Sequence, residues 1–230
     1  MKIRSASRAA VISVAAAVAL SACTAGGGAG GAATVSTDRT LNLMMNAPPS
    51  DMSVGNSSGG ETTLLNSIYD TLVILAPDGS IKPGVASSWA YSADHKTLTF
   101  HIRKGMKFTD GEKVDAAAVV ASLNASKTGP ATSDNFASVT DITSTDDYTV
   151  VLSLSSPDAA LVSLLTEVSG VIGAPKSLGS ADSKLWPTGS GPYILDKSKS
   201  VVGSKYVLER NPDYWNVSAY PFKTVIESII

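Results

Sequence analysis

Few side chains in this sequence could do chemistry, and their spacing assembles no catalytic group. The 230 residues include one cysteine and two histidines, His95 and His101. His101 alternates with Phe100 and Ile102, so we expect it on the solvent face of a strand, whereas a metal site needs several clustered donors. Gly189-Ser190-Gly191 lacks the G-x-S-x-G spacing of a nucleophile elbow. We therefore predict no catalytic residue, no metal site, no cofactor and no enzyme activity.

The cysteine predicts chemistry of another kind, because it follows the features of an export signal. Three basic side chains precede Ala9 to Leu20, an apolar stretch too short to span a bilayer as a mature helix. The stretch leads into Leu20-Ser21-Ala22-Cys23, which resembles the bacterial lipobox, where the chain is cut before the cysteine and the cysteine is acylated. We predict a lipoprotein signal peptide over residues 1–22 and lipidation at Cys23. The alternative is a signal peptide that happens to end near a buried thiol.

The segment after the cysteine is predicted to be a tether. Five glycines lie between Thr24 and Ser36, so residues 23–36 have the composition of a flexible linker. Acyl chains on the cysteine would hold the protein at a membrane. The predicted location is therefore extracytoplasmic, with the protein lipid-anchored to the cell membrane. No later apolar run is long enough for a transmembrane helix.

Composition predicts a folded protein that does not bind nucleic acid. Hydrophobic residues make up 43% of the chain and charged residues 17%, which supports a packed core. The formal net charge is −2, and no Lys/Arg run could serve as a phosphate footprint. The acidic residues are interpreted as scattered turn and cap residues.

Hydrophobic periodicity predicts short strands and short helices in a mixed α/β (α+β) fold. The predicted strands are Thr40–Met45, Thr97–Ile102, Val139–Ser144, Tyr148–Leu154, Tyr193–Leu195, Lys205–Arg210 and Val225–Ile230. The predicted helices are Glu61–Tyr69, Ala116–Asn124 behind an Asp115 N-cap, and one opened by Ser156-Pro157. Residues 125–138 are predicted to be a polar loop.

Four longer strings occur in a family-specific order. They run from Tyr69 to Trp89, from Asp94 to Leu123, from Gly189 to Tyr193 ("GSGPY") and from Leu208 to Trp215 ("LERNPDYW"). Together they resemble the family 5 extracytoplasmic solute-binding proteins of ABC importers, the peptide- and nickel-binding family. The departures are mild, such as Ser190 where the family has threonine. The large aromatic residues in these strings are interpreted as core anchors.

The resemblance implies a periplasmic-binding-protein-like type II lobe with an inserted accessory domain. Residues 37–62 and 187–230 would form part of the first lobe, and residues 63–186 the accessory domain. A second lobe, needed to close over a ligand, is expected to begin after Ile230.

The resemblance also implies a substrate-binding lipoprotein of an ABC importer, most commonly for peptides. Ligand contacts are expected from two loops, at Asn46 and Ala47 and at Asn135 and Phe136. For each of these residues, an ordinary surface loop is the alternative interpretation. The implied partners are an oligopeptide or other small solute, an ABC permease and the membrane, and the protein is expected to be a monomer.

Two other hypotheses remain open from the sequence. The chain could be a truncated fragment that binds no ligand. It could also be a lipid-anchored surface interaction protein that uses an exposed apolar edge near Val225 to Ile230.

Overall fold

The computed structural model describes residues 38–57 and 61–230. The predicted signal peptide, tether and lipidation site lie outside the described residues. The longer strands are β1 (Thr40–Met45), β5 (Ala86–Tyr91), β6 (Thr97–Ile102), β7 (Val139–Asp146), β8 (Thr149–Leu154), β11 (Lys205–Arg210) and β12 (Thr224–Ile229). The shorter strands are β2 (Asp70–Thr71), β3 (Val73–Leu75), β4 (Ile81–Pro83), β9 (Val171–Ile172) and β10 (Tyr193–Leu195).

The helices are short, except for one. They are α1 (Thr62–Ile68), α2 (Ala116–Thr128) and α3 (Leu161–Leu164), with 3₁₀ turns at Ser133–Phe136, Val168–Gly170, Ala181–Lys184 and Val217–Ala219. Within the described ranges, no helix combines the length and the apolar character that crossing a membrane requires.

Two four-stranded sheets organise the fold. One has the order β1-β12-β11-β10, in which β1 runs parallel to β12 and pairs Thr40 with Thr224. The other has the order β5-β6-β8-β7 and is antiparallel throughout. Two small antiparallel pairs, β2-β9 and β3-β4, complete the strand pairing.

Each large sheet has its own hydrophobic core. The larger core covers one face of the β5-β6-β8-β7 sheet with α2 and includes Phe100, Leu123 and Leu152. The smaller core packs α1 against the other sheet and includes Leu64 and Tyr206. The domain boundaries given above stay a prediction.

The terminal strand differs from the sequence prediction in one respect that bears on function. β12 is hydrogen-bonded on both sides, to β1 and to β11, and Val225 is buried. Only the last residue, Ile230, is strongly exposed, at 75%. The exposed apolar edge required by the interaction-protein hypothesis is therefore absent from this strand.

The helix after Asp115 begins where the sequence predicts and ends later. The Asp115 side chain accepts a hydrogen bond from the Ala118 amide at 3.0 Å, as an N-cap should. The helix continues to Thr128, whose hydroxyl bonds to the Asn124 carbonyl at 2.9 Å. The prediction of a loop over residues 125–138 was therefore wrong for its first turn and for the 3₁₀ turn at Ser133–Phe136. Backbone hydrogen bonds hold that 3₁₀ turn, such as the one from the Ala137 amide to the Asp134 carbonyl.

Removing this cap should give a measurable loss of stability. We expect Asp115→Ala to lower the free energy of unfolding by about 1 kcal/mol, because it leaves an N-terminal amide of α2 without its acceptor. Urea unfolding followed by circular dichroism would measure the loss. Asp115→Asn keeps the acceptor and removes the charge, so it should remain within about 0.5 kcal/mol of the parent. Equal losses in the two variants would contradict the capping role.

The helix predicted at Ser156-Pro157 is displaced. α3 begins at Leu161, and the Asp158 carboxylate accepts from the backbone amides of Ala160 and Leu161 at 3.0 and 3.2 Å. The N-cap residue of α3 is Ala160, and one oxygen of Asp158, Oδ1, accepts both of these amides, which would otherwise lack a partner in the first turn. The prediction that the helix opens at Ser156-Pro157 was therefore wrong.

Candidate functional site

A cavity of about 560 Å³ opens where β1 ends. Pro48 and Pro49 follow the strand and cannot donate to a sheet ladder, so the chain leaves the sheet as a loop. Asn46 and Ala47 of this loop line the cavity together with the last residues of β1, and Glu61 and Thr63 line its α1 side. The loop and the helix start thus form one wall of a possible ligand site.

Glu61 supplies the charge of this wall. Among the described residues it is the only ionisable side chain that lines the cavity. Its carboxylate accepts a hydrogen bond from the Ser57 hydroxyl at 2.9 Å, which orients it and leaves further acceptor capacity. The other polar lining groups, including Asn46 and Ser50, can donate or accept. This composition suits a polar solute that carries hydrogen-bond donors.

The second predicted pair of ligand residues lies elsewhere. Asn135 and Phe136 belong to the 3₁₀ turn Ser133–Phe136, and neither lines the cavity that contains Asn46 and Ala47. Phe136 is only 2% exposed and packs in the larger core, and the Asn135 side-chain amide donates to the Ser169 hydroxyl at 2.7 Å. The structure therefore places Asn46 and Ala47 together at this cavity, and it places Asn135 and Phe136 away from it. A ligand-binding role for any of the four stays a prediction.

Asp70 on β2 is a buried carboxylate that accepts three side-chain hydrogen bonds, and the sequence-based predictions did not single it out. Its Oδ1 accepts from the Tyr214 hydroxyl at 2.7 Å and from the Trp215 indole N–H at 3.4 Å. Its Oδ2 accepts from the Ser190 hydroxyl at 2.8 Å. These donors come from "GSGPY" and "LERNPDYW", and Asp70 itself from the first of the four strings. The motifs that are distant in sequence therefore converge on one buried carboxylate.

Two opposing influences act on this carboxylate. Burial raises the pKa of Asp70 to about 6, while the hydrogen bonds from Tyr214, Ser190 and Trp215 and the charge of Arg103 lower it. The Arg103 guanidinium lies 4.1 Å from the centre of the Trp215 ring, in cation–π geometry. The interpretation of the acidic residues as turn and cap residues was therefore wrong for Asp70. The presence of "YD", "GSGPY" and "DYW" in one chain was the available signal.

Glu227 is a second buried carboxylate that sequence reasoning missed. It is 0% exposed in the middle of β12, in register with Leu43 of β1 and Tyr206 of β11. Neither carboxylate oxygen has a hydrogen-bond partner among the described residues, and burial raises the pKa of Glu227 to about 7. The period-2 alternation of strands places Glu227 on the same face as the buried Val225, which was the signal that could have identified it.

Metal-ligating side chains do not gather in the described ranges. There, no group of three or more His, Cys, Asp or Glu side chains is placed to hold a metal ion.

Comparison with known proteins gives consistent matches over part of their length. The profile of the family described as "Bacterial extracellular solute-binding proteins, family 5 Middle" matches residues 80–230. The chain is 31% identical over 195 residues to the periplasmic oligopeptide-binding protein OppA of Escherichia coli (strain K12), covering 74% of this chain and 34% of that protein. It is 30% identical over 188 residues to a probable peptide ABC transporter periplasmic-binding protein of Sinorhizobium fredii, covering 78% of this chain and 34% of that protein.

Solved structures match over a similar extent. NikA from Brucella suis, in complex with Fe(III)-EDTA, superposes with a TM-score of 0.74 at 26% identity, covering 84% of this chain and 40% of that one. OppA from Haemophilus influenzae, in complex with the peptide RPPGFSPFR, superposes with a TM-score of 0.73 at 25% identity. That match covers 84% of this chain and 42% of the OppA chain. The chain thus spans about a third of the length of its sequence relatives and about two fifths of these structures.

Proposed function

Because this chain belongs to the bacterial extracellular solute-binding proteins of family 5, we propose that it provides part of the substrate-binding component of an ABC importer. The membership and the mixed α/β, type II binding-protein fold predicted from the motifs are both confirmed. The proposed solute is a peptide, because the OppA relative at 31% identity is an oligopeptide-binding protein. The solute would be passed to a membrane permease.

The observation that carries this proposal is the cavity at the end of β1. It has the size of a small-ligand site, and both predicted contact residues of that loop, Asn46 and Ala47, line it. Its Glu61 carboxylate could accept hydrogen bonds from a peptide amine or from backbone N–H groups. We propose that this loop and the start of α1 form one wall of the peptide site.

The location proposed for the protein follows from the amino-terminal sequence. The basic residues, the apolar stretch and the small residues before Cys23 support cleavage after residue 22 and acylation of the cysteine. Periplasmic relatives support an extracytoplasmic location. The proposed arrangement is a monomer held near its permease by a lipid anchor and the tether over residues 23–36.

A peptide titration tests the site. A good small-ligand site buries about 70–90% of its ligand, and a single wall buries far less. We therefore expect this chain to bind di- to pentapeptides weakly, with dissociation constants above about 100 µM. In ¹⁵N-resolved NMR, the amide signals of residues 44–47, 50 and 61–63 should shift together as peptide is added.

Two tryptophan variants locate the binding. Ala47→Trp should fill the cavity and abolish these shifts, while Ala181→Trp, at another exposed alanine, should leave them intact. Micromolar affinity would contradict the single-wall interpretation. Shifts that are absent from residues 44–47, 50 and 61–63, or that persist in Ala47→Trp, would overturn this cavity as the peptide site.

A further inference from the structure

A second cavity, of about 290 Å³, lies beside the Asp70 network and shares no lining residue with the cavity at the end of β1. Asp70 and Tyr214 are buried and form its floor, while Glu167 and Leu75 are exposed at its rim. It is bounded by α1, by the β2–β3 segment and by the connection between β11 and β12. The proposed peptide site does not account for it.

The charge of this cavity is negative. Two carboxylates line it, those of Asp70 and Glu167, and no Lys, Arg or His among the described residues does. The Glu167 side chain makes no ion pair or hydrogen bond with any described residue. Arg103 lowers the pKa of Asp70 through its charge, but it stacks on Trp215 and does not line the cavity. The cavity is therefore suited to a positively charged group.

Aromatic and aliphatic groups make up the rest of the wall. The Tyr214 and Tyr220 rings meet edge to face, with centres 5.3 Å apart and planes at 85°. A cation is attracted to the face of such a ring. Ile74 and Leu75 add aliphatic surface, and Leu75 is 49% exposed although it lies beside charged groups. An apolar wall next to two carboxylates matches a ligand with a charged end and a short hydrocarbon chain.

We propose that this cavity binds a small primary alkylammonium ion. The ammonium group would lie near the Asp70 and Glu167 carboxylates and a tyrosine face, and the hydrocarbon chain would pack along Ile74 and Leu75. The volume is close to the lower limit for small-molecule sites, which restricts the ligand to a few carbon atoms. This inference does not depend on the peptide site, because the two cavities have no residue in common.

Titration with n-butylammonium chloride tests the proposal, with 1-butanol as the neutral analogue and sodium chloride as the ionic-strength control. We expect saturable shifts of the amide signals near residues 70, 167 and 220 with butylammonium, and binding of butanol at least about tenfold weaker. Glu167→Gln should weaken butylammonium binding by about threefold, because it removes an exposed charge without disturbing the core. Asp134→Asn removes an exposed charge from the Ser133–Phe136 turn, which does not line the cavity, and should leave the affinity unchanged.

The opposite results would overturn the proposal. These are an absence of saturable shifts up to about 100 mM butylammonium, equal binding of butanol, or identical affinities in Glu167→Gln and Asp134→Asn. Each can occur whether or not peptides bind at the end of β1, so failure of this proposal is distinguishable from failure of the proposed function.

Discussion

Replacing Asp70 with alanine is expected to lower the free energy of unfolding by about 3 kcal/mol and the melting temperature by about 10 °C. The substitution removes the acceptor of three hydrogen bonds, from Tyr214, Ser190 and Trp215. Hydrogen bonds to a charged group contribute more than neutral ones, and buried donors left without an acceptor retain their desolvation cost. Thermal and urea unfolding of the purified chain would measure both quantities.

Two further sets of variants distinguish the loss of the Asp70 hydrogen bonds from a general effect of removing a charge. Asp134→Ala, at an exposed aspartate, should change the stability by less than about 0.5 kcal/mol. Tyr214→Phe and Ser190→Ala each remove one donor and should each lose about 1 kcal/mol. A loss in Asp70→Ala no larger than that in Asp134→Ala would refute the role assigned to the carboxylate.

Replacing Glu227 with leucine should have the opposite effect and raise the free energy of unfolding by about 2–3 kcal/mol at pH 8. The carboxylate is buried between β1 and β11 with no hydrogen-bond partner in the described part of the chain, so its ionised form is strongly disfavoured in the folded protein. The leucine side chain is similar in length to that of glutamate, and it suits the smaller hydrophobic core, which includes Val225 and Tyr206. Urea unfolding of both proteins across a pH series would give the difference.

The sign of the pH dependence follows from the direction of the pKa shift. The pKa of Glu227 is about 7 in the folded protein and 4.5 for the unperturbed group, so the folded state holds the proton more tightly. The parent should therefore lose stability relative to the leucine variant as pH rises from about 4.5 to about 7, and the difference should be constant beyond those limits.

A second substitution checks this dependence on charge. Glu227→Gln has no titratable group, so its stability relative to the leucine variant should not change with pH. A parent-to-leucine difference that stays the same between pH 5 and pH 8 would show that the carboxylate does not titrate as its burial requires.

The sequence predicted best those elements whose signal is local. The strand Thr40–Met45 was predicted with the bounds that the structure gives, and the strand Thr97–Ile102 shows the predicted alternation of buried Phe100 and exposed His101. The Asp115 cap was predicted correctly for the same reason, because a cap depends on residues within one turn. β5 was missed, because serines occupy the positions where alternation would show.

The candidate sites depend on contacts that a local pattern does not encode. Asn46 was expected to contact ligand because of the family resemblance, and the structure places it at a cavity. Phe136 was chosen by the same reasoning but is buried in the core, because the turn that carries it packs on α2. Asp70 acquires its partners only through folding, since Tyr214 and Ser190 are far from it in the chain. Fold class and family therefore followed from the sequence, whereas the buried network did not.

The parallel pairing of β1 with β12 has a consequence for synthesis of the chain. Thr40 leaves the ribosome long before Thr224, its partner in the sheet, has been made. At usual rates of translation the interval is roughly 10 to 40 seconds, and such a distant contact is also slow to close. During that time β1 is an apolar strand without its neighbour and is open to binding by chaperones or by other nascent chains. The order in which two strands are translated thus sets how long the amino-terminal part of this protein stays exposed in the cell.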